Sequence, residues 1–249
     1  MLLAIDVGNT NISCGIFKGP RLIKQFDIPA SSCFKTNLIK NLKKTPKISS
    51  SIVCSVVPIK TKLILRDLKL LIGRKPYIIG KDLSVPIKNL YLRPKQVGQD
   101  RLVNAYAASA FYGSPLIVID SGTAITFDVI SKNNAYLGGL IVPGMDISLQ
   151  ALKEKTALLP EVKLAEPQTL VGNETKNSIL SGVVFGTAEL CYGLARRIRQ
   201  RLGKRALVIG TGGNIRLINK YSKLRMKIDR DLTLKGINLI YNHEIRDEV

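Results

Sequence analysis

Two aspartates in this chain stand at the ends of apolar runs, each followed two residues later by a glycine. The chain opens MLLAIDVGNTN, in which Leu2, Leu3, Ala4 and Ile5 read as the interior of a sheet. Asp6, Gly8, Asn9, Thr10 and Asn11 then arrive together as a turn. A hairpin accounts for Gly8 and Asn9 but not for Asp6, because a carboxylate at the edge of a core needs a partner that offsets its desolvation. The pattern returns at LIVIDSGTAITFDVI, which matches LLAIDVGNTNISCGI at a constant offset of 114, pairing Ile5 with Ile119, Asp6 with Asp120 and Gly8 with Gly122. Two such turns suit the phosphates of a nucleotide. Backbone N–H groups at a glycine turn approach phosphate oxygens, and the hydroxyls of Thr10 and Thr123 donate further hydrogen bonds. Asp6 and Asp120 then face a cation that neutralises the phosphates, since bare carboxylates would repel them.

A third candidate is GQDR at 98–101. Asp100 falls in the first turn of an alanine-rich helix predicted over 99–112 and closed by Gly113. Phosphoryl transfer to an alcohol needs an acceptor for the hydroxyl proton and cationic help for spread charge, and Asp100 with Arg101 supplies both. The competing role for Asp100 is structural, as a helix-end carboxylate. Taken alone, Tyr91 reads as packing and Thr175 as a cap before KNSILSG.

The elements that position these residues follow from periodicity and breakers. LLAIDVG, NISCGIF and RLIKQFDIP read as strands, with Gly19 and Pro20 at the second turn. A helix through SSCFKTNLIKNLKK, the strand SSSIVCSVVP, a helix ending at Gly73 and the short strand KPYIIG complete a β-β-β-α-β-α-β order. That order implies a mixed sheet carrying helices, an α/β domain. The second half continues with AYLGGLIVPG as a strand broken by glycines, a helix stopped at Pro160, and one or two long helices through NETKNSILSGVVFGTAELCYGLARRIRQRLG. ALVIGTGGN is then a strand into a glycine turn, and DRDLTLKGINLIYNH gives a short extended piece and a terminal helix. The repeated motif divides the chain into two homologous domains, 1–113 and 114–249, facing each other across a cleft.

At 249 residues, 45% hydrophobic and 22% charged, the chain is globular and long enough for two cores. Its 38 Lys and Arg against 18 Asp and Glu give a formal charge of +20, which favours an anionic partner. The basic residues are scattered, however, and the clusters KNLKKTPK and RRIRQR suit solvated helix faces. Cys14, Cys33, Cys54 and Cys191 lie far apart without a C-x-x-C, so neither a zinc ribbon nor a disulfide framework is indicated. The opening residues lack a charged n-region, and no run approaches the length of a membrane span. The expectation is a reduced, cytoplasmic protein with no membrane partner.

DVGNTN at 6–11, GQDR at 98–101, DSGTA at 120–124, GGLIVPG at 138–144, TALLP at 156–160 and GNETKNSILSG at 172–182 together resemble type III pantothenate kinases, within the sugar-kinase, actin and Hsp70-type ATPase fold. The resemblance spans nearly the whole chain in order. It implies ATP-dependent phosphorylation of the primary hydroxyl of pantothenate, the first step towards coenzyme A, with Mg2+ accompanying ATP. On this resemblance Asp6, Val7, Gly8, Asn9, Thr10, Asn11, Ile12 and Ser13 match the ATP phosphate loop, and Thr123 matches a second ATP contact. Asp120 matches the ligand of a monovalent cation, potassium or ammonium, and Asp100 matches the proton acceptor. Tyr91, Gly98, Gln99, Asp100, Arg101 and Thr175 match pantothenate contacts. Either Arg101 or Thr175 holds the substrate carboxylate. The resemblance further implies a homodimer with a shared active site, and small residues along SILSGVVFGTAELCYGLA offer a face for a partner helix. One departure falls at TGGN, where Asn214 stands at a position often acidic in the family, and it is assigned no role.

Other classes fit less well. VIGTGGN places Ile215 where a dinucleotide fingerprint needs its third glycine, no G-K-[ST] of a P-loop occurs, and the sole histidine, His243, lies in a polar tail. The alternative from another class is a basic nucleic-acid-binding transcriptional accessory protein, suggested by the charge, although no zinc finger, aromatic RNA-binding signature or helix-turn-helix stands out. No specific nucleic-acid partner is expected.

Overall fold

The structure is a computed structural model, describing residues 1–43 and 45–246. It forms two compact units, Met1–Ala110 together with the C-terminal segment from Asp231, and Phe111–Arg230.

The first unit is built on a five-stranded sheet in the order β3-β2-β1-β4-β5, from β1 (Leu2–Val7), β2 (Asn11–Lys18), β3 (Arg21–Pro29), β4 (Ser50–Ser55) and β5 (Tyr77–Ile78). β1 runs antiparallel to β2 and parallel to β4. Buried on both faces, β1 reads as a continuous apolar run, the pattern of an interior strand. On one face Leu3, Ile5 and Val7 pack with Phe34 and Leu38 of α1 (Phe34–Leu42) and Ile64 and Leu68 of α2 (Pro58–Ile72). Pro58 opens α2 at its first turn, where a missing N–H costs nothing, and Gly73 closes it in the left-handed region. After a two-residue strand β6 (Lys88–Asn89), helix α3 (Gln99–Tyr112) follows.

The second unit repeats this topology. Its strands β7 (Leu116–Ser121), β8 (Ala124–Ile130), β9 (Ala135–Pro143), β10 (Leu207–Thr211) and β11 (Lys227–Ile228) lie in the order β9-β8-β7-β10-β11, with β7 antiparallel to β8 and parallel to β10. Ile117, Ile119, Ile125, Phe127 and Val208 face a core completed by α4 (Met145–Lys155), α5 (Thr175–Leu202) and α6 (Ile215–Tyr221). The α/β class with two mixed sheets and helices is therefore the observed one.

Four details differ from the sequence expectation. The offset of 114 holds only to the glycine. β1–β2 pairs Val7 with Ile12, whereas β7–β8 pairs Ser121 with Ile125, so the second turn is one residue shorter and the offset beyond it is 113. Counted back from the second strand, Thr123 then occupies the place of Thr10. Second, β9 runs through Gly138 and Gly139 as one strand, with an irregularity in its pairing at Val129/Ile130. Third, the terminal helix α7 (Leu232–Arg246) begins inside the predicted extended piece and belongs to the first unit rather than with residues 114–230. Its Leu234, Ile237 and Ile240 pack with Leu2, Ala4 and Ile52 on the other face of the first sheet. Gly236 permits this, because a Cβ there would press on Val103 and Ala107 of α3. Fourth, α5 is one helix of 28 residues, long and apolar enough by length and composition to cross a membrane. Its face of Leu180, Val184, Ala188, Cys191 and Ala195 is instead buried in the core of the second unit.

Candidate active site

In the first unit, the Gly8–Asn11 turn closes on a hydrogen bond from the Gly8 N–H to the Asn11 carbonyl, 3.0 Å. A Cβ at Gly8 would sit 3.0 Å from that carbonyl oxygen, which explains the glycine. The turn is tied down from outside: Lys60 Nζ of α2 donates to the Asn9 carbonyl at 3.1 Å, and the Ala30 N–H to the Thr10 carbonyl at 2.8 Å. Asn9, Thr10 and Asn11 are exposed and offer side chains and backbone, whereas Val7 and Ile12 are buried and offer only backbone. Ser13 donates its hydroxyl to Asp27 Oδ1 at 2.6 Å, so that proton is committed within the sheet.

Asp6 is in register with Cys54 of β4. Asp6 and Asp100 both bear electrostatically on the Cys54 thiol, which burial first and these two carboxylates second push well above the ordinary range. The structure thus brings the phosphate-turn aspartate and the α3 aspartate around one strand end. Asp100 lies in the first turn of α3 and accepts the Arg101 N–H at 2.9 Å. Burial raises its carboxyl above the ordinary value, opposed by that N–H and by the Arg101 charge. Burial outweighs the Arg101 charge, so the group holds its proton more tightly than an exposed aspartate and, once ionised, is the stronger base. Gly98 makes room for it, since a Cβ there would collide with Asp100 Oδ1. Gly80, with φ 83°, admits the Gln99 side chain in the same way. Arg101 is buried, and Tyr91 stands in the exposed loop before Pro94, its N–H donating to Asn89 Oδ1 at 3.0 Å.

In the second unit, the Gly122 N–H donates to the Ala124 carbonyl at 3.0 Å, the counterpart of the Gly8 bond. Two further segments hold this turn. The Gly144 N–H, at the start of α4, donates to the Thr123 carbonyl at 3.1 Å, and the Asn214 N–H donates to the Ser121 carbonyl at 3.2 Å. Asn214 also donates through Nδ2 to Asp146 Oδ2 at 3.1 Å, linking the ends of α4 and α6. Gly144 and Gly212 both approach the turn so closely that a Cβ would overlap its backbone. Composition gave no signal for Asp146; the glycines at 144 and 212 were visible as turn markers only.

Asp120, at the end of β7, is cross-strand from Thr126 on β8 and Thr211 on β10. Residues in register share a sheet face, so one carboxylate is flanked by two hydroxyls. On the opposite face of β7 the Ser121 hydroxyl is buried without a hydrogen-bond partner in the protein, outside this set. An all-oxygen set with one carboxylate suits a hard cation, most of whose ligands come from elsewhere. Among the described residues no cluster of three His, Cys, Asp or Glu side chains forms a metal site of its own. Asp120 with Thr126 and Thr211 is thus a partial oxygen shell rather than a complete metal site. Thr175 is the first residue of α5 and exposed; Glu174 occupies the helix N-cap, so Thr175 is not the cap that its local sequence suggested.

A family model described as type III pantothenate kinase matches residues 2–197. The chain belongs to the type III pantothenate kinase family. A type III pantothenate kinase from Persephonella marina is 40% identical over 98% of this chain and 99% of its own length. Among solved structures, a conserved Baf family transcriptional activator from Campylobacter jejuni, described there as putative, is similar with a TM-score of 0.63 at 20% identity, covering 98% of this chain and 99% of that one. The activator of 2-hydroxyisocaproyl-CoA dehydratase from Clostridium difficile, solved with bound ADPNP, gives a TM-score of 0.57 at 11% identity over 100% of this chain and 97% of its own. At these identities the two structures bear on the fold alone, which is that of the sugar-kinase, actin and Hsp70-type ATPases. In this pantothenate kinase family member the two D-x-G turns end β1 and β7, which hold corresponding places among five strands whose order the two sheets share.

Proposed function

We propose that the protein transfers the γ-phosphoryl group of ATP to the primary hydroxyl of pantothenate. Membership of the pantothenate kinase family carries this reading, and the desolvated Asp100 at the start of α3 gives it a chemical centre. The hydroxyl oxygen forms the new P–O bond, the bond from the γ-phosphorus to the bridging oxygen of ADP breaks, and the hydroxyl proton passes to the Asp100 carboxylate. A carboxylate made more basic by burial accepts that proton more readily than an exposed one. The reaction asks mainly for alignment and charge compensation. The Gly8–Asn11 turn, flanked by Asp6, Val7, Ile12 and Ser13, meets the ATP phosphates through its exposed Asn9, Thr10 and Asn11, and Thr123 adds a second contact. Tyr91, Gly98, Gln99, Arg101 and Thr175 hold pantothenate.

On this reading Asp6 would share Mg2+ with ATP, and Asp120 with its flanking hydroxyls would hold potassium or ammonium. Such cations supply charge neutralisation as the phosphoryl group moves. A homodimer belongs to the same reading. It is supported by exposed apolar residues on the second unit, Ile141, Leu158, Leu170 and Val171, and by the open side of α5, where a Cβ on Gly182 or Gly186 would meet nothing. A cytoplasmic location fits four free cysteines.

Purified protein incubated with ATP, magnesium, potassium and pantothenate is expected to yield 4'-phosphopantothenate by mass spectrometry, with product lost when pantothenate is omitted. No product in the complete mixture overturns the reading. Light scattering of the same sample is expected to give twice the 27.4 kDa chain mass.

A further inference from the structure

Asp128 is a fully buried carboxylate in the middle of β8, with Val118 and Gly139 as its cross-strand neighbours. Such a group is costly to desolvate, and two hydroxyls donate to it. Tyr136 Oη, itself buried, lies 2.9 Å from Asp128 Oδ1, and Thr126 Oγ1 lies 3.3 Å from Asp128 Oδ2. Thr126 is the residue directly across from Asp120. Asp128, two residues further along β8, shares their face, which is the face opposite the Ile119 and Phe127 core.

A threonine hydroxyl has one proton and two lone pairs. In the bond to Asp128 the Thr126 hydroxyl is the donor, so its proton is spent there and the oxygen presents lone pairs to its other neighbours. The neighbour in register is Asp120, which also only accepts when ionised. Thr126 Oγ1 and the Asp120 carboxylate are thus two acceptors at directly opposed positions on one sheet face.

We propose that Asp128 is a positioning residue for the cation at Asp120: by holding the Thr126 proton it makes Thr126 Oγ1 a standing acceptor, so that Thr126 is a second protein ligand to that cation. This rests on the reading of Asp120 as the site of a monovalent cation. Ligands fixed by a hydrogen-bonded neighbour bind more tightly than free ones, and loss of such a neighbour typically costs about 10–100-fold in affinity.

The test is thermal melting of the full chain with Mg2+ and a non-hydrolysable ATP analogue, while potassium chloride replaces choline chloride at constant ionic strength. The wild-type melting temperature is expected to rise with potassium to a plateau, defining a midpoint concentration. Thr126→Val and Asp128→Asn are expected to raise that midpoint about tenfold or more, and Thr126→Ser, which keeps the hydroxyl, to leave it near wild type. In parallel, kcat of Thr126→Val is expected to recover at high potassium, which a general packing defect would not allow. A wild-type potassium response with an unchanged midpoint in Thr126→Val overturns the proposal, whether or not Asp128→Asn folds. No potassium-specific rise in the wild type overturns the cation reading of Asp120 and this inference with it.

Discussion

Gly212 is held at φ 90° so close to Asp120 that an added Cβ would lie 2.5 Å from Asp120 Oδ1. The glycine that follows β10 therefore fixes where the β7 carboxylate can stand. Gly212→Ala meets two obstacles, a backbone angle that L side chains rarely adopt and a carboxylate in the way. A left-handed non-glycine residue costs about 1–3 kcal/mol, so the melting temperature is expected to fall. Displacement of Asp120 should also shift the potassium dependence of turnover. An unchanged potassium curve in the destabilised protein would separate Gly212 from the cation site.

Asp120→Asn isolates the charge itself, keeping shape while removing the negative charge. Turnover is expected to drop, and the potassium response to flatten or move to higher concentration. Steady-state kinetics across a potassium series check this, and full activity with the wild-type curve would make Asp120 a structural residue.

The four thiols should sort by environment. Burial pushes Cys14 and Cys54 well up, aided at Cys14 by Asp27 and Asp6, and raises Cys191 to about 12. Cys33 is exposed, and hydrogen bonding from Thr36 lowers its thiol below the ordinary value. The thiolate is the nucleophile, so iodoacetamide at pH 8 is expected to label Cys33 in the folded protein and the other three only after denaturation. Peptide mass spectrometry reads this directly. Labelling of Cys54 at a rate near that of Cys33 would mean that the strand end between Asp6 and Asp100 opens in solution.

The first unit was largely legible because its signals are local. Leu2–Ile5 is an apolar run too long for a surface strand, Gly8 marks a tight turn, and Gly73 marks a helix end. The register of the second turn was not legible: DVGNTN and DSGTA align without a gap as strings, and only the pairing of Ser121 with Ile125 reveals the missing residue. The destination of α7 was hidden for a related reason, since its apolar face fits either sheet and Gly236 becomes informative only beside Val103 and Ala107. Asp128 and Tyr136 were passed over because nothing in TFDVI distinguishes a buried carboxylate from an exposed one on alternating strand positions. Their partnership depends on β9 folding back over β8.

Asp100 is where stability and function make opposite forecasts. A helix-end carboxylate contributes typically about 1 kcal/mol, so a purely capping Asp100 would lower the melting temperature on substitution and leave turnover intact. Burial instead raises its pKa, so the folded state holds the proton more tightly than the unfolded chain does. For such a group, stability is greatest while both states are protonated and decreases as pH rises between the unfolded and folded pKa values. At neutral pH the charge is thus a burden on the fold, and Asp100→Asn is expected to keep or raise the melting temperature. As the proton acceptor Asp100 must be ionised, so wild-type kcat/KM should fall on acidification through a pKa above the ordinary aspartate value of 3.8. That limb should be missing from the residual activity of Asp100→Asn, whose kcat is expected to be about 10²–10⁴-fold lower. The KM for ATP should change little, because the Gly8–Asn11 turn that meets the phosphates is a separate element. Melting curves and pH–rate profiles on the same sample check both arms. Near-wild-type turnover together with a lowered melting temperature would return Asp100 to the helix end and leave the hydroxyl proton to the substrate phosphate or solvent.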